Sequence, residues 1–305
     1  MSRLKERKSR RIGIVLLLAV MAIFLTQCNL LHGNNTATKI TNPSGNLEVH
    51  FIDVGQGDAI LVEDEDADML IDAGNNDQAT VVTDYLKSEK ITDLNYVIAT
   101  HPHSDHVGGM DTVLDTIPAK RVILPAVTYN TKTFDDVLNV IGSHKIKTDI
   151  ANVGDKYHLG DAVFTILAPN SSTYDDLNNY SVVIKLTYGS ISFLLAADAE
   201  DVSEDEMLKS GIDLSANVLK IGHHGSGNSC TESFLNAVHP AFGVISVGKA
   251  NEHGHPSAKV MNSMLNHHIQ LYRTDDQGTI IFTTNGKNIA VNKEAYQITN
   301  RDIGG

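Results

Sequence analysis

The sequence predicts an α/β protein in which two mixed β-sheets pack face to face with helices outside them, a four-layer αββα sandwich. Three observations predict it. Strand-like and helix-like patterns alternate along the body of the 305-residue chain with no internal linker. Some neighbouring strand-like runs are separated only by hairpin turn signals, so antiparallel pairs must mix with strand–helix–strand units. The alternation also comes in two comparable halves, the second beginning near "AVFTILAP" at Ala162. A chain of this length buries a sizeable core.

The first half opens with the apolar runs "LEVHFIDV" and "DAILVE", then "DMLIDAG", separated by "GQG" and by the acidic "EDEDAD". That acidic run reads as a solvated hairpin turn rather than a calcium loop. "DQATVVTDYLKSEK" reads as a helix, and "LNYVIAT" as a strand that stops at a group of histidines. "VGGMDTVLDTI" is helical, "RVILP" a short strand and "FDDVLNVIGSH" a further helix. In the second half, "SVVIKLTYG" and "ISFLLAAD" are β-rich runs around a Tyr-Gly-Ser turn, which makes them a hairpin. Helix "SEDEMLKSG", strand "ANVLKIG", helix "TESFLNAV", strand "AFGVISVG" and helix "SAKVMNSMLNH" follow. The end, "GTIIFTTNGKNIAVN", is a hairpin turning at Asn285 and Gly286.

Ahead of this body stands a different kind of segment. "MSRLKERKSRR" carries six basic residues against Glu6, and "IGIVLLLAVMAIFL" follows as an uncharged apolar run from Ile12 to Leu25. A basic head before an apolar stretch that is short for a membrane-spanning helix is the pattern of an export signal. "LTQC", Leu25 to Cys28, resembles a bacterial lipoprotein cleavage box, which makes Cys28 the lipidation site. Gln27 stands where that box has a small residue, so an uncleaved anchor or conventional secretion are the alternatives. Residues 1–28 are thus the export or lipoprotein signal, and residues 29–46, polar and rich in Asn, Thr and Gly, a flexible tether. The remainder, 47–305, is expected secreted or at the outer face of the membrane. No pattern points to a protein partner. The other cysteine, Cys230, reads as a buried small hydrophobe rather than a nucleophile.

Charge limits the substrate. The net charge is −13, and the first thirteen residues contribute +5, so the rest stands near −18. A polyanion is repelled by that average field unless a basic patch or bound metal offsets it.

The chemistry collects at strand ends. "HPHSDH", His101 to His106, places three imidazoles and a carboxylate within six positions, where "LNYVIAT" stops. These are the usual ligands of zinc and related ions. His101 and His103, two apart in an extended segment, face one side; Asp105 and His106 serve a second point one turn later. Gly108 and Gly109 allow a tight turn into the next helix. Asp198 ends "ISFLLAAD", His223 and His224 end "NVLKIGHHGS", and His253 and His255 follow "VISVG" in "NEHGHPS". Sheet-based sites gather their groups at such ends.

"HPHSDH" matches the His-x-His-x-Asp-His signature of the metallo-β-lactamase superfamily, and "MLIDAG" looks like the strand that precedes it there. "FIDVGQGDAILV", "NNYSVVIKLTYG", "FLLAADAE", "LKIGHHGS" and "VISVGKANEHGHPS" together resemble the C-terminal domain of the competence protein ComEC. They also resemble free-standing exported hydrolases, including choline-phosphate esterases of teichoic acids. The resemblance covers Leu47 to Val291. It implies the metallo-β-lactamase fold and two divalent ions, zinc or manganese. His101 and His103 match ligands of the first ion, Asp105 and His106 those of the second, and Asp198 the bridging aspartate. His224, directly before glycine, is favoured over His223 as the last ligand, since adjacent strand residues point opposite ways. Most of the superfamily places a third histidine where this chain has Asn178. An amide oxygen is a harder, weaker ligand, which favours manganese and counts against a true β-lactamase.

The implied reaction is hydrolysis by a hydroxide bridged between two ions, with Asp105 orienting it. His223, His255, His253, Lys220 and Ser226 are the candidates for gripping substrate oxygens. Asp58 and Asp72 are partners of ligand imidazoles or turn-capping carboxylates. A phosphodiester, in DNA or in a cell-envelope polymer, is the leading substrate class. Hydrolysis at an acyl centre (lactone, thioester or β-lactam) and metal binding without turnover are the alternatives.

Overall fold

The computed structural model describes residues 47–65 and 67–304. The export signal, Cys28 and the tether lie outside the described residues. Among those described, the first half supplies β1 (Leu47–Phe51), β2 (Ile60–Asp64), β3 (Ala67–Ile71), β4 (Tyr96–Ile98), β5 (Arg121–Leu124) and β6 (Lys147–Ile150). The second half supplies β7 (Lys156–Leu159), β8 (Ala162–Ala168), β9 (Val183–Tyr188), β10 (Ile191–Leu195), β11 (Val218–Lys220), β12 (Phe242–Ile245) and β13 (Gln270–Arg273). β14 (Ile280–Thr284) and β15 (Ile289–Val291) close the chain.

The strands form an eight-stranded sheet, ordered β15-β14-β1-β2-β3-β4-β5-β6, and a seven-stranded one, ordered β13-β12-β11-β10-β9-β8-β7. Both sheets are mixed in the same way. β1, β2 and β3 pair antiparallel and β3 to β6 parallel; β7 to β10 pair antiparallel and β10 to β13 parallel. The closing hairpin returns to the first sheet, with Leu47 opposite Thr284 and Phe51 opposite Ile280, so the end of the chain is tied to its beginning.

Alternation along the strands decides which faces meet. Leu47, Val49 and Phe51 of β1 point inward with Phe164, Phe193, Phe242 and Phe282 from both sheets, and these side chains form the central core. Phe282 lies at its middle, edge-on to Phe51, Phe193, Phe242 and Tyr272 at centroid distances of 5.4–6.1 Å. Two outer layers cover the remaining faces. α1 (Ala79–Ser88), α2 (Ser104–Val107), α3 (Met110–Thr116) and α4 (Lys132–His144) lie over the first sheet. α5 (Asp201–Ser210), α6 (Glu232–Val238) and α7 (Ala258–Asn266) lie over the second, and α8 (Thr274–Gln277) is a single turn after β13. In α4 the buried Phe134, Val137 and Ile141 recur at helical spacing, Thr131 caps the start by accepting from the Phe134 N–H, and Lys145 at φ 53° ends it. The αββα sandwich expected from the sequence is present.

Three strands escape the sequence pattern. β6 and β7 are edge strands with mostly exposed side chains, and β13 buries only Leu271 and Tyr272, so none shows a recognisable alternation. The acidic run is a hairpin turn, but not wholly a solvated one. Asp64 is buried and accepts from the Asp161 and Ala162 N–H groups at 2.7 and 2.9 Å, which clamps the two sheets together. No helix among the described residues is long and apolar enough to cross a membrane.

Candidate metal centre

The site is assembled from five strand ends, all at the same edge of the sandwich. β3 runs into Asp72, a residue at φ 57°. Its buried carboxylate accepts from the Thr100 N–H (2.9 Å) and hydroxyl (2.6 Å), fixing the end of β4, and lies 2.7 Å from His106 Nδ1. That bond assigns the His106 proton to Nδ1 and turns the Nε2 lone pair inward. His224 is oriented in the same way, its Nδ1 donating to the Ser246 carbonyl beyond β12 at 2.9 Å.

Both Nε2 atoms point at the same carboxylates. His106 Nε2 lies 3.2 Å from Asp198 Oδ2 and 3.8 Å from Asp105 Oδ2. His224 Nε2 lies 3.3 Å from Asp105 Oδ2 and 3.5 Å from Asp198 Oδ1. One ligand atom from each of these four residues falls within 4.8 Å of the others. His101 Nε2 adjoins the group at 3.9 Å from Asp198 Oδ2 and is 3.0 Å from His103 Nδ1. Asn178, in a short turn before β9, is buried beside them.

A cation fits this arrangement. His106 Nε2, His224 Nε2, Asp198 Oδ1 and the Asn178 Oδ1 amide oxygen are buried with no hydrogen-bond partner among the described residues. Buried polar atoms are rarely left so; His106, His224 and Asp198 belong with Asp105 to the group within 4.8 Å, and Asn178 lines the same cavity. The titration pattern agrees. Burial opposes charge on His224, yet the Asp198 carboxylate, with Asp105 and Asp58, holds its pKa at about 10. Burial opposes charge on Asp198 as well, but the imidazoles of His106 and His224 hold its carboxyl well below the usual range. The cluster demands positive charge, which divalent ions supply by displacing protons. Burial and the neighbouring His106 push His101 well down, leaving it a neutral imidazole.

The cavity above these groups holds about 590 Å³. Gln56, His103 and Asp105 line it from the first half, and Asn178, His223, His253 and His255 from the second. His223 Nδ1 is 2.8 Å from Glu200 Oε1, and its ring faces His255 at 5.5 Å; His253 stacks on His255 at 5.7 Å. Burial and the adjacent imidazoles push His255 down to about 4, so it is neutral at pH 7.

Several expectations change. Lys220 does not reach substrate. As the last residue of β11 it is completely buried, and its ammonium pairs with Asp58 at 2.8 Å and donates to the Ile221 carbonyl. Asp58 is therefore the counter-ion of Lys220 beneath His224, whose Nδ1 is 3.5 Å from its other oxygen. Ser226 is buried in the loop below the cavity, its hydroxyl oxygen accepting from the Asn228 N–H. His223 and His224 are not strand residues; both adopt left-handed φ (46° and 52°), and that turn separates their rings. Gly108 serves contact rather than a turn, since a Cβ there would meet the Ser104 carbonyl at 2.3 Å. The Cys230 thiol is pushed up to about 12, chiefly by burial, as suits a core residue.

Gln56, Glu200 and Asn251 were missed. Gln56 joins the halves of the site, its Oε1 accepting from the Gly248 N–H at 3.1 Å. The glycines around it in "GQG" were the available signal: a Cβ on Gly57 would meet the Asp105 carbonyl at 2.2 Å. Asn251 holds the His255 loop closed, donating to the His255 carbonyl and accepting from its N–H. Glu200 carried no signal beyond its place after Asp198.

Residues 52–249 match the metallo-β-lactamase superfamily. ComE operon protein 3 of Bacillus subtilis is 30% identical over 251 residues, 76% of this chain and 32% of that protein, so the chain spans about a third of that relative. Exodeoxyribonuclease YycJ of Bacillus anthracis is 32% identical over 108 residues, 34% of this chain and 38% of that protein. CmlA, a diiron β-hydroxylase from Streptomyces venezuelae, shares the fold at a TM-score of 0.52 and 13% identity, over 76% of this chain and 53% of that one. The family match covers most of the chain, the "HPHSDH" segment lies within it, and the similarity to ComE operon protein 3 extends further: this chain is a metallo-β-lactamase superfamily hydrolase of the ComEC-like kind.

Proposed function

We propose that the chain is an exported phosphodiesterase or nuclease that works with two divalent ions, zinc or manganese. The observation that carries this reading is the gathering of ligand atoms from Asp105, His106, Asp198 and His224 within 4.8 Å of one another, with His106 Nε2 and His224 Nε2 lacking a hydrogen-bond partner among the described residues. In this reading His101, His103 and Asn178 hold one ion, Asp105, His106 and His224 the other, and Asp198 lies between them. Such ions supply polarisation of a phosphoryl oxygen and activation of water as the nucleophile.

The remaining roles belong to the chain. Asp105 stays a carboxylate: burial works against its charge, but His106 and His224 hold its carboxyl well below the usual range. It accepts a hydrogen bond from the attacking water and aims it. His223, held by Glu200, stands 3.8 Å from Asp198 and faces the leaving group. His255 and His253 contact the non-reacting oxygens from the far wall. Among the described residues no lysine or arginine lines the cavity. Together with the acidic surface, this favours substrates whose reacting phosphate is met by the ions themselves, such as a strand end or an envelope-polymer substituent. Residues 1–28 deliver the enzyme across the membrane, with Cys28 as lipid anchor, and 29–46 tether it there.

The test is metal analysis with hydrolysis of bis-p-nitrophenyl phosphate, an oligonucleotide and a chromogenic lactam, comparing wild type with Asp105→Ala and Asp198→Ala. Two metal equivalents and phosphodiester cleavage are expected in the wild type, and neither variant should cleave detectably. Equal hydrolysis by all three proteins, or cleavage of the lactam alone, refutes the reading.

A further inference from the structure

Beside the metal centre lies a cavity of a different character. It holds about 680 Å³ at the C-terminal end of β5, under the loop that leads into α4. Val127, Tyr129, Phe134, Leu138 and Ile150 line it, and among the described residues no lysine or arginine does. Six large hydrophobic side chains are exposed among the described residues, and three of them, Tyr129, Leu138 and Ile150, line this one cavity. Exposed apolar surface gathered in a concavity marks a binding site rather than scatter. Thr128 and Asn130, which also line it, make no hydrogen bond among the described residues, which leaves polar edges beside an apolar floor.

The cavity lies next to the reaction site. β4 and β5 are parallel neighbours, so "HPHSDH" and the loop after Leu124 leave the sheet at the same edge. Tyr129 stands between the two, its ring edge-on to the candidate ligand His103 at a centroid distance of 6.3 Å.

We infer that this cavity seats the base of the nucleotide flanking the scissile phosphate, with Tyr129 as the stacking surface at its mouth. The inference rests on the phosphodiesterase reading above and names its substrate class as nucleic acid. A base is planar and uncharged, with an apolar face and a hydrogen-bonding edge. It therefore suits an apolar floor rimmed by Thr128 and Asn130, whereas a sugar-phosphate backbone finds no cation there. Aromatic stacking accepts any base, and the chain has no tryptophan to provide it. Of the two aromatic rings that line the cavity, Phe134 is buried and Tyr129 is exposed, which gives the role to Tyr129.

The experiment uses the metal-loaded enzyme and two short single-stranded oligonucleotides, one with normal bases and one with an abasic residue beside the cleaved phosphate. Wild type should show a KM about tenfold lower for the base-containing strand, the scale of one lost stacking contact. In Tyr129→Ala that preference should fall toward one, and Tyr129→Phe should restore it. Leu138→Asp, which places a charge on the floor, should also abolish it. Saturation-transfer NMR with thymidine monophosphate gives a readout independent of turnover, in which base protons should receive magnetisation in wild type and not in Tyr129→Ala. If wild type cleaves both strands with equal KM, or Tyr129→Ala keeps the preference, the base site is refuted while the phosphodiesterase reading stands. If no oligonucleotide is cleaved although bis-p-nitrophenyl phosphate is, the assignment to nucleic acid falls alone. Failure on every phosphodiester removes both.

Discussion

Glu48, His50 and Glu63, on the helix-covered face of the first sheet, bring imidazole and carboxylate as close together as Asp105, His106, Asp198 and His224 do at the strand ends. In each group the ligand-type atoms fall within 4.8 Å of one another. The difference lies in what each ring nitrogen is given. His50 Nδ1 is 2.8 Å from the Tyr85 hydroxyl, and its Nε2 is 3.2 Å from both Glu48 and Glu63, so neither nitrogen is spare. His106 and His224 each have one nitrogen fixed by the protein, while the other is buried without a hydrogen bond, its nearest carboxylates at 3.2 and 3.3 Å. Composition and proximity are therefore weak markers of a metal site. The stronger one is a histidine whose outward nitrogen is tied down so that the inward one must stay a donor of electrons.

The largest effect that follows from this contrast is at Asp72. Asp72→Asn keeps the shape, and asparagine tolerates the left-handed φ of 57°. The Asn side-chain oxygen still accepts from Thr100, but the charge that enriches the His106 ring is gone. Metal affinity and phosphodiesterase activity should both fall by about 10–100-fold, the usual consequence of removing such a partner. Titration against a chromophoric chelator measures the first and steady-state kinetics the second. Unchanged metal affinity would reduce Asp72 to a cap on Thr100 and weaken the rule.

The histidine cluster and the strand-end aspartate were legible because each ligand follows an apolar run or sits in "HPHSDH", and a sequence displays such juxtapositions directly. Lys220 was not. Its side chain is buried because Asp58, distant in the chain, waits inside, and nothing local to "NVLKIG" records that. The left-handed pair His223 and His224 was misjudged for a related reason: strand alternation was extended past Lys220, where the strand has already ended. Gln56 was half legible, since its flanking glycines announced a close approach without saying what approached. β6 and β7 were hidden by being edges, where few side chains are buried and the period-two signal disappears.

His50→Gln tests the other side of the comparison and should have a smaller effect. Metal content and phosphodiesterase activity should match the wild type, because His50 holds no unspent donor. Stability should fall by about 1–3 kcal/mol, since a buried group loses a partner at the Tyr85 hydroxyl and at the Glu48–Glu63 pair. Urea unfolding followed by circular dichroism measures the loss. A drop of one metal equivalent in this variant would show that a fully hydrogen-bonded histidine can still be a ligand, and the distinction between the two clusters would fail.

The smallest effect concerns protons rather than metal. Burial raises the Glu63 carboxyl from 4.5 to about 7; His50 opposes the shift, while Asp68, Glu89 and Glu48 add to it. Over that interval the folded protein keeps a proton that the unfolded chain has released. The stabilisation from this group is thus complete below pH 4.5 and is lost as pH rises through about 7. Because the Glu63 side chain is 23% exposed, solvent screens part of the effect. Glu63→Gln cannot titrate but can still hydrogen-bond His50. Groups elsewhere titrate equally in both proteins, so the difference between their Tm profiles isolates this carboxyl. Wild type should lose more Tm than Glu63→Gln between pH 4.5 and 7, and the two profiles should run parallel above that range. Parallel profiles throughout would mean that Glu63 is ionised across the window, and that the Glu48–His50–Glu63 group carries a negative charge free to meet a cation after all.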